Sequence, residues 1–271
     1  MEEEKKTRDV IDAVTGVVKA VPIYQDAAQP AAIEIGKGLQ TLAKTVHVAL
    51  APVSILVWGY DEIKDFVSNK VTEKLRNIPE ENIISPKPNV AGPALESLKY
   101  TGHDSSLSDL YANLLASSMD KTSASGAHPA FVEIIKQLTP DEAKLIKYLS
   151  EPTGFPLITA GWTYKNPTPQ KRGGHDLVIN FSLLGNHAKL EFPELTPSYI
   201  NNLCRLGLTE IPTMIHYTND EIYKALESAP EILKVKAEVE ADPERKFEVK
   251  KELHRFTELG KQFYKVCVSR S

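Results

Sequence analysis

Asp120 and His128 are the residues of this chain best disposed for acid–base chemistry. A carboxylate and an imidazole joined by a short loop of small residues can exchange a proton if the loop brings them together. The pair also has a plainer reading, which is the one we expect: Asp120 ends one helix, and His128 precedes Pro129 at the start of the next. The remaining histidines, at positions 47, 103, 175, 187, 216 and 254, are scattered, and no pair stands at metal-ligand spacing. Cys204 and Cys267 have no neighbouring Cys or His in sequence, which fits a reducing cytoplasm better than a disulfide scaffold. Gly36-Lys37-Gly38 sits inside a helical pattern and lacks the rest of a phosphate-binding loop, so it reads as helix packing. No metal, cofactor or enzymatic activity is expected from these residues.

Residues suited to recognition are better represented. Thr196-Pro197 opens a helix that would bury Ile200, Leu203 and Cys204, leaving Ser198, Asn201, Asn202 and Arg205 outward. Asn and Arg can read base edges, and Lys165, Lys171 and Arg172 lie in a Pro/Gly loop that could touch phosphate. Tight nucleic-acid binding, however, needs several cations on one face. From His128 onward acidic and basic residues balance, Arg205 is the single cation of its helix, and the whole chain carries a net charge of -4. Asn201, Asn202, Arg205, Lys171 and Arg172 are therefore candidates for binding a protein, and nucleic acid is not an expected partner.

Helices must position most of these groups. Val10, Ile11, Val14, Val17, Val18 and Val21 form one apolar face, and Pro22 and Pro30 punctuate the chain after it. Ile35, Leu39, Leu42, Val46, Ala49 and Val53 alternate four- and three-residue steps, a heptad seam. A third helix carries Ile63, Phe66, Val67, Val71 and Leu75. The Pro-containing connector from Asn82 to Asn89 reads as extended, and it marks the expected boundary between residues 1–82 and residues 83–271. Helices are expected over Pro93 to Tyr100 and Leu107 to Met119, the latter capped by Ser105 or Ser106. Thr139 with Glu142 forms a capping box for the helix bearing Leu145, Ile146 and Leu149. Strands are expected over Phe155 to Tyr164, Leu177 to Leu184 and Phe247 to Phe256, with Leu208 to Ile211 extended. A charged helix spans Asn219 to Val239, and a last helix carries Phe263, Tyr264 and Cys267. The fold class is mostly α, with a smaller α+β part at the C-terminal side.

The stretch from Thr45 to Tyr60 is the most apolar. It is shorter than the roughly 20 residues that span a bilayer, and Pro52 interrupts it. Together with an acidic Met-Glu-Glu-Glu start, this predicts a cytoplasmic protein without a secretory signal. Leu39, Leu42, Val46, Val53, Leu56, Val57 and Trp58 nevertheless present apolar side chains on nearly all sides, among small residues that let helices approach closely. They are the candidate membrane or oligomer contacts. Buried at rest, such a segment becomes membrane-active if it is released.

The order of elements is similar to a winged-helix domain, carried by Leu203-Cys204-Arg205-Leu206-Gly207-Leu208 and by Arg255-Phe256-Thr257-Glu258-Leu259-Gly260-Lys261. Two insertions interrupt that pattern, one between Leu149 and Thr196 and one from about Pro212 to Lys246. A more specific resemblance runs from about Pro86 to Leu149. Ala91-Gly92-Pro93-Ala94-Leu95, Leu114-Leu115, Ser118-Met119-Asp120, the run His128 to Ile135, and Gln137 to Ala143 resemble the bacterial abortive-infection alpha family. Leu50-Ala51-Pro52 and Trp58-Gly59-Tyr60 extend the likeness upstream. The resemblance implies defence against phage, ending in growth arrest or death of the infected cell. Expected partners are a phage or host protein as trigger, a second copy of the chain and, on activation, the inner membrane. A winged-helix regulator binding DNA is the alternative reading.

Overall fold

Caps and prolines decide where the helices of this chain begin. A computed structural model describes residues 59–149 and 154–269, which belong to one compact unit, Val57–Ser271. Helix α1 (Tyr60–Phe66) runs through a π-helical turn (Val67–Val71) into α2 (Thr72–Leu75), burying Phe66, Val71 and Leu75. Helix α3 (Pro88–Thr101) starts earlier than the expected Pro93. Pro88 occupies the first helical position, where a missing N–H costs nothing. The connector at 82–89 thus lies inside the compact unit, with the Asn82 carbonyl accepting from the Lys121 N–H at 2.9 Å.

Helix α4 (Ser105–Met119) is capped by Asp104 rather than by a serine, its Oδ1 accepting the Leu107 N–H at 2.9 Å. Every residue from Leu110 to Ser118 is buried, so α4 is wrapped by its neighbours and forms the axis of the helical core. Helix α5 (Ala130–Lys136) and helix α6 (Pro140–Tyr148) lie against it. The capping box of α6 is present as expected: the Thr139 N–H donates to Glu142 Oε2 at 2.7 Å, and the Glu142 N–H to Thr139 Oγ1 at 3.2 Å.

Strand β1 (Phe155–Tyr164) matches its expected bounds and pairs antiparallel with β4 (Arg245–Phe256) along its whole length, from Phe155 opposite His254 to Tyr164 opposite Arg245. Strand β2 (Gly174–Phe181) flanks β1 and β3 (Thr209–Glu210) flanks β4, giving the order β2-β1-β4-β3. β2 begins earlier and ends earlier than expected. Ser182 Oγ accepts the Leu184 N–H at 3.2 Å, and the chain turns there into the short helix α7 (Leu184–His187). Helix α8 (Thr196–Arg205) ends as expected near Gly207, whose φ of +72° is natural for glycine. The single charged helix expected over Asn219 to Val239 is two, α9 (Glu221–Glu227) and α10 (Pro230–Glu240). Pro230 cannot continue a helix that precedes it, but it can open one. Helix α11 (Glu258–Phe263) and a π-helical turn (Tyr264–Val268) close the described chain.

The fold is mostly α with a smaller α+β part. The two interrupting stretches supply much of the latter: the first provides β1 and β2, the second α9 and α10. Alternation along β1 serves two cores. Leu157 joins the helical core, whereas Ile158 and Ala160 pack with Tyr223, Leu226, Ala229 and Ile232 under α9 and α10. Among the described residues no helix is long and apolar enough to cross a membrane. The heptad seam, and the candidates Leu39, Leu42, Val46, Val53, Leu56, Val57 and Trp58, lie outside the described residues.

Two features carry expectations for stability. Thr257 Oγ1 donates to the Gly207 carbonyl at 2.6 Å and accepts the Gly260 N–H at 2.9 Å, which draws α11 onto Leu208. A Cβ on Gly260 would collide with the Leu208 carbonyl oxygen. Gly260→Ala should cost about 2 kcal/mol, read as a lowered urea midpoint.

His254 is fully buried, and neither ring nitrogen has a hydrogen-bond partner. Burial disfavours the charged imidazolium and pushes its pKa down from 6.5 to about 4. Because the folded value lies below the unfolded one, stability is complete above pH 6.5. It falls as the pH drops from there towards 4. The loss should amount to roughly 3 kcal/mol. Urea unfolding at about pH 7 and about pH 4.5 measures it, and His254→Leu should remove most of that difference.

A candidate binding groove on the sheet

Residues 157, 159, 161 and 163 of β1 share one sheet face. At its lower end Leu157 is covered by the helical core. In the middle, Thr159 Oγ1 donates to Glu252 Oε2 at 2.7 Å and accepts the Asn180 N–H at 3.3 Å. Asn180 adopts a left-handed φ of +54°, at one of two irregularities in the β1–β2 register. Its side-chain amide donates to Asn201 Oδ1 of α8 at 2.9 Å. This polar relay ties α8 to the sheet and ends the covered part of the face.

Above the relay the face is open, and a groove of about 670 Å³ runs over Gly161, Thr163, Asp176, Ile179, Glu248 and Lys250. Pro167 and Gly173, from the loop joining β1 to β2, form its upper wall. Any side chain at Gly161 would run into the backbone of His175 and Asp176, so glycine is what lets β2 cross β1 this closely. The groove mixes apolar and ionic character. Lys250 pairs with Asp176 at 2.7 Å and Lys246 with Glu248 at 3.3 Å. Ile179 is 55% exposed and the neighbouring Leu177 45%. β2 is an outer strand of the sheet, so Leu177 and Ile179 sit beside a free edge. Trp162 and Tyr164, which also line the groove, meet edge-on at 5.1 Å, and the Arg245 guanidinium stacks 4.3 Å from the Trp162 ring.

The residues singled out from the sequence fall into three groups. Asn201 stands at the lower limit of the groove. Lys171 binds Glu244 at 2.7 Å and pins the upper loop to the start of β4; that hydrogen bond and its charge raise the lysine pKa. Arg172, in the same loop, is exposed. Asn202 and Arg205 belong elsewhere. Asn202 Nδ2 donates to Glu142 Oε1 at 2.7 Å and to the Gln137 carbonyl at 3.1 Å. Arg205 reaches Asn202 Oδ1 and, at 3.0 Å, Gln137 Oε1. Both side chains clasp α8 to the junction between α5 and α6.

Asp120 and His128 are each engaged in their own turn. Asp120 is buried, and its carboxylate accepts from the Thr122 N–H and hydroxyl at 2.9 and 2.7 Å and from Ser123 Oγ at 3.2 Å. His128 is exposed, with Nδ1 accepting the Ala130 N–H at 3.1 Å. Burial raises the pKa of the Cys204 thiol, and that of Cys267 further, which leaves both protonated at neutral pH. Among the described residues no group of three or more His, Cys, Asp or Glu is arranged to hold a metal ion.

Sequence reasoning passed over Asp141. Its buried carboxylate accepts the Glu191 and Phe192 N–H groups, both at 2.9 Å, and binds Lys144 at 3.0 Å and the Tyr199 hydroxyl at 3.4 Å. Burial alone would raise its pKa, but the backbone donors and the Lys144 ammonium outweigh that and hold it below 3.8. An acid in the first turn of a capped helix is ordinary, and nothing local distinguishes this one. The groove was equally hidden, because its lining joins the β1–β2 hairpin to β4, which lies far later in the sequence.

Among solved structures, the chain is similar to one described as the uncharacterized protein from the hydrocarbon-degrading marine bacterium Alcanivorax borkumensis SK2. Identity is 24% and the TM-score 0.35, over 54% of this chain and 94% of that one. No curated protein matches. The sequence profile of the family described as abortive infection alpha matches residues 59–267, which include all four strands and the groove. This chain belongs to the abortive infection alpha family.

Proposed function

We propose that this protein defends a bacterial cell against phage by binding a phage or host protein in the sheet groove, without catalysing a reaction. The observation that carries this reading is the exposed apolar pair Leu177 and Ile179 on a free strand, beside a groove rimmed by Asp176, Glu248 and Lys250. Exposed apolar side chains on an unpaired strand edge, next to charges already matched within the groove, suit the addition of a protein segment along that edge. Cations of the groove are matched by carboxylates, and Asn202 and Arg205 are occupied in holding α8. Both facts favour a protein over a phosphate backbone.

The apolar segment containing Leu39, Leu42, Val46, Val53, Leu56, Val57 and Trp58 is the effector in this reading, released when the partner binds. Its support is the sequence: apolar on nearly every side, too short and too interrupted to be a permanent anchor. A partner need favour the released state by only a few kcal/mol to shift the population. Membrane potential in infected cells should collapse before phage lysis. Membranes that stay polarised until lysis, with protection intact, would remove the effector from this account.

Groove binding is tested by phage plating on cells expressing the intact gene. Leu177→Asp with Ile179→Asp replaces exposed side chains and should change stability by no more than about 0.5 kcal/mol per site. It should weaken partner binding at least about tenfold and remove protection. Asp120→Asn and His128→Ala, made singly, should protect as well as the parent while soluble protein is present. Loss of protection in both of these, with melting temperatures unchanged, would instead point to an active site.

A further inference from the structure

The sheet has a second open edge, on β4. Its inner side pairs with β1 throughout, but on its outer side β3 pairs only with Arg255 and Phe256. From Arg245 to Leu253 no described residue forms a strand against that outer side. An uncovered edge presents unpaired N–H and C=O groups, a template for one further strand. Just before Arg245 the chain turns, the Arg245 N–H donating to the Asp242 carbonyl at 3.1 Å. The opening is therefore bounded at both ends, and its central residue is Val249.

Charges along this opening alternate in sign. Lys246, Glu248, Lys250 and Glu252 share the groove side of the sheet, where Glu252 meets Thr159. A run of lysines would repel a second strand, whereas alternating signs select one. A second copy of β4, laid antiparallel about a twofold axis at Val249, sets Lys246 opposite Glu252 and Glu248 opposite Lys250, on both sides of the axis. A centre at Glu248 would set Lys246 against Lys250, and a centre at Lys250 would set Glu248 against Glu252. The complementary register is thus centred where the opening is centred. On the other face Val249 meets its own counterpart. There Phe247 and Val249 line, with Leu233 and Lys236, a pocket of about 360 Å³, and Leu233 is 49% exposed. Within one chain Lys246 pairs with Glu248 and Lys250 with Asp176, but both pairs are exposed and contribute little. Their ammonium groups are free to turn to a facing carboxylate.

We infer that two copies of this chain associate through β4, edge to edge and antiparallel, into one sheet of order β2-β1-β4-β4-β1-β2. The contact is isologous: the same edge serves both copies, so the association closes at a dimer. Backbone groups bond across the axis, the alternating charges set the register, and the second copy covers Val249 and Phe247. β2 lies at each outer limit of that sheet, so Leu177 and Ile179 stay open in both copies. The pairing is independent of what the sheet groove binds.

Sedimentation velocity of the full chain across micromolar concentrations tests the pairing. The parent should sediment as a concentration-dependent dimer. Glu248→Lys and Lys250→Glu each set like charges opposite in the homodimer, and each should weaken association at least about tenfold. Both side chains are exposed, so each variant should melt with the parent. Mixed in equal amounts, the two variants are complementary again at every facing position and should form a heterodimer of parental affinity. Glu248→Lys and Lys250→Glu in one chain should likewise restore the homodimer. The double substitution at Leu177 and Ile179 should leave association unchanged. A parent that stays monomeric at every concentration overturns the proposal, as does a dimer indifferent to both single variants. Weakening that recovers neither in the mixture nor in the charge-swapped chain overturns the antiparallel register at Val249. A dimer lost on substitution of Leu177 and Ile179 moves the contact to β2 and overturns the role of β4.

Discussion

The antiparallel pairing of β1 with β4 is the interaction on which the rest of this architecture depends. It joins Thr159 to Glu252 across 93 positions of chain and runs unbroken for the whole of β1. Because side chains alternate along a strand, one segment serves both sides. Leu157 closes the helical core, and Ile158 and Ala160 found a second core under α9 and α10. Removing the pairing would open both cores together.

Polar side chains hold the secondary elements in place around that sheet. Asp141 gathers the backbone before α8 and the hydroxyl within it, while Asn202 and Arg205 close on Glu142 and Gln137. The relay through Thr159, Asn180 and Asn201 fixes the other side of the same helix. Helix α8 is therefore clasped along two faces by directed hydrogen bonds. The polar groups that make it resemble a reading head are largely consumed in positioning it, and what stays open is the sheet above it.

How much of this could be read from the sequence depended on the range of the signal. The box formed by Thr139 and Glu142, and strand β1, are set by patterns within a few residues, and both appear as expected. Caps were less legible, since Asp104 and Ser105 are adjacent and equally competent, and only geometry chooses between them. Pro230 was visible, yet its flanks are both helical and charged, so they read as one helix where there are two. Asp120 and His128 lie near in sequence, but each satisfies its own turn. The groove and the buried Asp141 depend on contacts between distant segments, and no local pattern encodes them.

The long span between the paired strands also bears on synthesis. Residues 59–149 supply most of the helical core and emerge first, whereas β1 leaves the ribosome with only β2 to pair. A lone two-stranded hairpin is marginal in water, so Ile158, Ala160 and Val178 stay unshielded until α9, α10 and β4 follow. Nascent chains of this protein thus pass through a stage at which one sheet face is open to chaperones, or to a neighbouring copy.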